Sequence, residues 1–240
     1  MLSKKEIKDI QSLSHKKFRA ELKLFIAEGP KIVGELLSRV PGQVRMIYAT
    51  AEWKAMQEQQ VAIPITVITD AELERISQLQ TPNQVLAVVE QFPVHPPAGD
   101  GLILYLDRIQ DPGNLGTIIR IADWFGVKEI VCSQGCADLY NPKVVQSSMA
   151  SIARVSVFEE DGKWLPSQTL PVYAASLHGE SVYTVSKIEN AILVIGNESR
   201  GITQEILDRA DTLVTIPRKG EAESLNAAVA TGILLSHLLN

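Results

Sequence analysis

The apolar positions of this 240-residue chain change their spacing along its length, and each change marks an element. Over 3–12 and again over 15–25 they recur three and four residues apart, which predicts two amphipathic helices. "GPKIVGELLSRV" predicts a third, with Ile32, Val33, Leu36 and Leu37 on one side. "VRMIYAT", "ITVIT" and "QVLAVVE" are apolar runs of strand length. "DAELERISQL", between the last two, predicts a short helix with Asp70 as its N-cap. Together these describe a small α/β domain behind a helical N-terminal arm.

"QFPVHPPAGDG", 91–101, holds three prolines and two glycines in eleven residues and reads as a linker. The chain therefore divides into a domain over 1–92, a Pro/Gly linker over 93–100 and a second domain over 101–240. In the second domain strand "GLILYLD" precedes a helix, and "EIVCS" follows it. "NPKVVQSSMASIA" predicts a helix with Asn141 as N-cap and Pro142 at the first helical position. Strands "VSVF", "PVYAAS", "AILVIG" and "TLVTIP" come next, with helix "TQEILDRA" between the last two. "SLNAAVATGILLSHLLN" closes the chain. Continuously apolar strands alternating with helices predict a mostly parallel α/β sheet covered on both faces. Ligands in such sheets sit beyond the carboxyl ends of the strands.

Three of those strand ends carry unusual chemistry. "DPGNLGTIIRIADWFGV", 111–127, is read as a tight Pro112-Gly113 turn and a helix capped by Asn114. Leu115, Ile118, Ile119, Ala122 and Phe125 form the helix's inner stripe, and Arg120 lies off its centre. "VIGNESRGI", 194–202, sets Gly196, Asn197, Glu198, Ser199, Arg200 and Gly201 after a buried strand. "IPRKGEAESLNAAVATGILL", 216–235, runs from a strand end through a polar loop into a helix read as capped by Ser224. Taken singly, each is explained by turns and caps. Taken together, they place small and amide-bearing residues wherever a ligand would lie. The last helix is apolar on most sides, which predicts burial in the core and in a subunit interface.

Composition narrows the classes further. No run approaches the ~18 apolar residues of a membrane span. Lys4 and Lys5 lead into no apolar segment of the kind a secretory signal needs. No membrane partner is expected, and the expected compartment is the cytoplasm. The two cysteines, Cys132 and Cys136, have neither a second pair nor a nearby histidine, so no metal is expected. The net charge of −5 is unevenly spread. Residues 1–31 carry eight Lys or Arg against four Asp or Glu, whereas 101–240 carry eleven against sixteen. A basic arm on an acidic body is able to grip phosphates locally, although a solvated helix face has the same composition.

In order, "N-x-G-x-x-x-R", "GNESRGI" and "IP…ESLNAAVA" resemble the three motifs of the SpoU–TrmH family of RNA 2′-O-ribose methyltransferases, in the SPOUT superfamily. The first domain, with "FIAEGPKIVGELL" and "TPNQVLAVVE", is similar to the ribosomal-protein-like substrate-binding domain that often precedes the catalytic one, although Gln84-Val85 replaces the usual Gln-Gly. The resemblance implies a C-terminal trefoil knot, which patterning alone does not show, since ordinary chains avoid knots. It also implies a homodimer and S-adenosylmethionine as cofactor. The cofactor pocket would comprise Ser176, Leu177, Gly196, Asn197, Gly201, Ile216, Pro217 and Leu225. The catalytic residues would be Asn114, Arg120, Glu198, Ser224 and Asn226.

The implied reaction is methylation of a ribose 2′-hydroxyl in structured RNA, with rRNA favoured over tRNA. The family gives the key role to the arginine matching Arg120. A guanidinium does not deprotonate in proteins, so its role is read as electrostatic: it holds the target phosphate and stabilises the developing alkoxide. Asn114 would orient Arg120 or the ribose. Glu198 would fix its loop or pair with an arginine. Ser224 and Asn226 would place hydrogen bonds near the ribose. RNA base methylation and an inactive RNA-binding or assembly protein of the same fold remain the alternatives. A hydrolase built on His178 has no G-x-S-x-G elbow to support it.

Overall fold

The computed structural model describes residues 1–57 and 63–239. The chain forms two compact units, residues 1–93 with 140–153 and residues 94–139 with 154–240.

In the first unit, α1 (Lys4–Ser12) opens with a capping box: Ser3 Oγ accepts from the Glu6 amide and Glu6 reaches back to the Ser3 amide. Helix α2 (Lys16–Leu22) is shorter than its periodicity predicts. Lys23 adopts the left-handed conformation (φ 55°) and ends it, and Leu24–Glu28 form strand β1, whose first two residues the sequence reading places in the helix. Then follow α3 (Pro30–Arg39), β2 (Val44–Ala49) and α4 (Ala51–Ala55), the last an unpredicted helix capped by Thr50. Strand β3 (Ile65–Val67), helix α5 (Asp70–Ile76) and β4 (Val85–Glu90) complete the series. The α5 cap is Thr69, not Asp70, because Thr69 and Glu72 close a capping box one residue earlier. The sheet order is β1-β4-β2-β3, antiparallel except for β2–β3. Leu2, Ile7 and Ile10 of the N-terminal arm are buried with Leu73, Ile76 and Leu86 in one core.

The second unit begins with β5 (Leu102–Asp107), α6 (Pro112–Trp124) and β6 (Glu129–Cys132). The cap of α6 is Asp111, whose Oδ1 accepts from the Asn114 amide at 2.9 Å, so Pro112, Gly113 and Asn114 form the first helical turn. Proline favours the first helical position, and that draws the helix start back by three residues. Helix α7 (Pro142–Ser148) keeps the predicted Asn141 cap but groups with the first unit, where it packs on β1. Sequence division at 93–100 assigns this segment to the second domain. In the first unit the Tyr140 ring lies 4.8 Å from Phe25, and its hydroxyl accepts from the Phe92 amide at 2.8 Å.

Strand β7 (Ser156–Glu159) returns the chain to the second unit. Then come β8 (Val172–Ser181), β9 (Ala191–Gly196), α8 (Gln204–Arg209), β10 (Thr212–Thr215) and α9 (Ala227–Leu238). All six strands are parallel, in the order β10-β8-β9-β5-β6-β7. Ile103, Tyr105, Ile192 and Val194 pack on one face with Ile206 and Leu207 of α8. By alternation Leu104, Leu106, Leu193 and Ile195 face the other way, where α9 packs against β9 and α6. The α9 cap is Asn226 rather than Ser224.

Candidate active site

Strands β5 and β9 end in register, Asp107 opposite Gly196. Beside them β10 pairs with β8 in two stretches: Leu213 faces Ala174, but the next residue, Val214, faces Glu180. Residues 175–179 therefore bulge outward. The return is possible because Gly179 has no side chain; a Cβ there would lie 2.4 Å from the Leu213 carbonyl oxygen. The bulge, the 196–201 loop and the 216–225 loop enclose a cavity of about 780 Å³. Its walls include Ser176, Leu177, Gly196, Asn197, Gly201, Ile216, Pro217 and Leu225. Glu198 and Ser224 also line it, together with His178 and two residues given no role by sequence, Arg200 and Arg218.

The cavity suits a ligand with a flat apolar part and several hydrogen-bonding edges. Its deeper wall is apolar, formed by Ile195, Val214 and Leu234. Leu177 and Leu225 are large apolar side chains left 66% and 46% exposed at its wall. Its loops contribute backbone amides and carbonyls, and its volume lies within the range of small-molecule sites. S-adenosylmethionine fits this description.

The loop after β9 is tightly closed. A Cβ on Gly196 would stand 2.6 Å from the Gly201 carbonyl carbon and from the Ile202 nitrogen. Glycine is required here for the loop to close on itself, whatever the ligand. Asn197 is the hub: its Oδ1 accepts from the Ser199 and Arg200 amides at 2.9 and 3.1 Å, and its carbonyl accepts from the Gly201 amide at 2.9 Å. This turn carries Glu198 toward α6.

There three of the candidate catalytic residues meet. Asn114 Nδ2 donates to Glu198 Oε1, and Asn226 Nδ2 donates to Asn114 Oδ1 at 2.8 Å. Asn226 Oδ1 accepts from the Ala228 and Val229 amides, which caps α9. The line Asn226–Asn114–Glu198 joins the cavity to a shallow groove between α6 and α9 lined by Thr117, Ile121, Trp124, Phe125, Val229 and Ile233. Ser224 lies at the cavity wall, exposed. Arg120 is apart from these four: it is exposed on α6, and its side chain makes no hydrogen bond or ion pair among the described residues.

Outside the site, the hydrogen bond between the two cysteines, reinforced by burial, pushes the Cys132 thiol above the ordinary range. Among the described residues no group of three or more His, Cys, Asp or Glu side chains is disposed to hold a metal, and no helix is long and apolar enough to cross a membrane.

Residues 101–236 match the SpoU rRNA Methylase family, and residues 4–87 match the MRM3-like substrate binding domain. The chain is 32% identical over 241 residues to the 23S rRNA (guanosine(2553)-2′-O)-methyltransferase RlmP of Bacillus subtilis, covering 97% of this chain and 95% of that one. Among solved structures, a protein of the TrmH RNA methyltransferase family from Porphyromonas gingivalis superposes with a TM-score of 0.89 at 38% identity, covering 100% of this chain and 98% of that one. An AdoMet-bound rRNA methyltransferase from Sinorhizobium meliloti superposes with a TM-score of 0.84 at 30% identity, covering 99% and 96%. The fold is thus the α/β fold of the SpoU and TrmH methyltransferases, and the knot implied by the motifs belongs to that fold.

Proposed function

This chain belongs to the SpoU rRNA methylase family, and on that premise we propose that it methylates a ribose 2′-hydroxyl of ribosomal RNA, using S-adenosylmethionine. The observation that carries the assignment to this site is the Asn226–Asn114–Glu198 line at the edge of the cavity. The cofactor supplies an electrophilic methyl group on a sulfonium. Leu177, Leu225 and the loop backbones at 196–197, 201 and 216–217 hold it, with Ser176 at the bulge. Asn114, locked by Glu198 and Asn226, orients the ribose, and Ser224 contributes a hydroxyl from the facing loop. Arg120 holds the phosphate and stabilises the alkoxide, while a phosphate oxygen or water accepts the proton. Alignment of the reacting atoms supplies most of the acceleration.

The reading extends to a homodimer acting in the cytoplasm. Its support is the α6–α9 groove, where Trp124 and Val229 stand 84% and 52% exposed beside Ile121 and Phe125. Leu234 and Leu235 face the protein's own core, so a charge at Val229 is the cleaner probe of association. Val229→Glu is expected to give a monomer in sedimentation with unchanged far-UV circular dichroism. Wild-type protein sedimenting as a monomer at micromolar concentration refutes the dimer.

The deciding experiment maps 2′-O-methyl groups in total RNA from cells with and without the gene, alongside calorimetry of S-adenosylhomocysteine with the full chain. One rRNA ribose losing its methyl group, with tight metal-free binding, is the expected result. A lost tRNA ribose methyl, a lost base methyl or no lost methyl would each replace this reading with another.

A further inference from the structure

Asp107 is the last residue of β5 and is 2% exposed. Its Oδ2 accepts from the Thr203 amide at 2.7 Å, and its Oδ1 accepts from Arg108 Nε at 3.0 Å and from Ser133 Oγ at 3.4 Å. Arg108 sits in the left-handed region, φ 55°, unusual for a residue with a side chain. That conformation fits its contacts on three sides. Its amide donates to Ser133 Oγ at 2.9 Å, its guanidinium folds back on Asp107, and its carbonyl accepts from Asn197 Nδ2 at 2.9 Å.

The last residue of β5 and the one after it thus hold both ends of one loop. Asn197, at the loop's start, is tied to the Arg108 carbonyl, and Thr203, at its end, is tied to the Asp107 carboxylate. Between these ties lie Glu198, which fixes Asn114, and the Asn197–Gly201 wall of the cavity. A buried carboxylate is costly unless its lone pairs are satisfied, and this one is satisfied by donors whose placement serves that loop.

We propose that Asp107 is a positioning residue for methyl transfer: with the left-handed Arg108 it clamps loop 197–203, and so sets Glu198 and the cofactor wall at once. The proposal rests on the reading of the cavity as the methyl-transfer site. Misplacing a reacting group by about an ångström costs on the order of a hundredfold, so a slackened clamp is felt in the chemical step.

The test uses the full chain and four proteins: wild type, Asp107→Asn, Glu198→Ala and the double variant. Asp107→Asn keeps the side chain's shape but removes its charge and one of its two acceptor oxygens, so it cannot accept from Thr203 N at one atom and from Arg108 Nε and Ser133 Oγ at the other. In wild-type Glu198 background it is expected to lower the single-turnover rate by roughly tenfold to a hundredfold at saturating cofactor. It is also expected to weaken S-adenosylhomocysteine binding in the folded fraction. In the Glu198→Ala background the same change should cost much less at saturating cofactor, because the acceptor it positions for Asn114 is already gone. Equal rate losses in both backgrounds, or an unchanged rate and affinity with only a lower melting temperature, overturn the proposal. Thr203→Pro, at a position whose φ of −59° suits proline, removes the amide donor and sets a ring carbon against Asp107 Oδ2, and is expected to slow transfer at least as much as Asp107→Asn. A wild-type rate in Thr203→Pro counts against the clamp. If wild type itself neither binds S-adenosylhomocysteine nor transfers methyl to rRNA, the reading of the site fails instead.

Discussion

Asn226 donates its side-chain amide to the side-chain oxygen Oδ1 of Asn114 at 2.8 Å, across 112 positions of sequence. With its other atom it closes the first turn of α9, accepting from the Ala228 amide at 3.0 Å. One side chain thus ends a loop, starts a helix and holds the residue that meets Glu198.

These duties separate in Asn226→Asp. Aspartate caps a helix about as well as asparagine, so the melting temperature should stay within a few degrees. It has no donor for Asn114, which is left with an unanswered carbonyl. The expected outcome is single-turnover transfer slowed by roughly tenfold or more with the fold intact. A wild-type rate would reduce the Asn226–Asn114 contact to capping alone.

Arg120→Ala is expected to leave S-adenosylhomocysteine affinity nearly unchanged while transfer falls about a hundredfold to a thousandfold, the cost of losing one preorganised donor to a developing oxyanion. Its exposure on α6, clear of the cavity lining, is why cofactor affinity should hold. Arg120→Lys should rescue poorly, since an ammonium lacks the planar two-pronged contact. Rapid transfer by Arg120→Ala, measured at saturating cofactor, would remove this arginine from the chemistry.

Basic residues of the arm divide into two kinds. Arg19 is 2% exposed and donates to the Leu13 carbonyl at 2.8 Å, so it belongs to the fold, whereas Lys16 and Lys17 are exposed. Arg19→Ala should cost about 2 kcal/mol in urea unfolding. Lys16→Ala with Lys17→Ala should leave stability alone and flatten the salt dependence of RNA affinity by roughly 0.7–0.9 in log–log slope per lost phosphate contact. An unchanged slope would make that helix face merely solvated.

Glu28 supplies a pH dependence. Burial pushes its carboxyl above the usual range, and the donors Ser77 Oγ and Gln78 N only partly offset this. A carboxyl with a raised folded pKa holds its proton more tightly when folded. Its contribution is therefore most favourable below the ordinary glutamate pKa and is lost as pH rises through the raised folded value. Glu28→Gln keeps an acceptor for Gln78 and a donor for Ser77, and should flatten the stability profile over that window. Identical profiles for both proteins between pH 4 and 8 would contradict the burial argument.

Sequence made the strand ends legible because apolar runs such as "LILYLD" and "AILVIG" admit one reading, and ligand chemistry gathers where they stop. Strand β1 is hidden because Phe25 continues the helical spacing of Phe18 and Leu22, and the break is a lysine in a conformation usually left to glycine. The start of α6 was present in the sequence: Pro112 at the first helical position points back to Asp111 as the cap. The role of Arg19 is not legible in the sequence, because a charged residue reads as surface until its carbonyl partner is seen. Asp107 closes a predicted strand, but nothing local says that its acceptors face Thr203, 96 residues on.

The allegiance of α7 bears on how this protein can be taken apart. Periodicity shows that Val144 and Val145 are buried, not on what, and they lie in the unit containing β1. The polypeptide therefore passes between the two units three times, near residues 93, 139 and 153. Nicking the proline-rich stretch at 91–101 would yield two fragments that still co-purify, with α7 as the peg. A graft that carries residues 101–240 alone onto another substrate-binding module would take the peg without its socket, so a working chimera must exchange two non-adjacent stretches of gene.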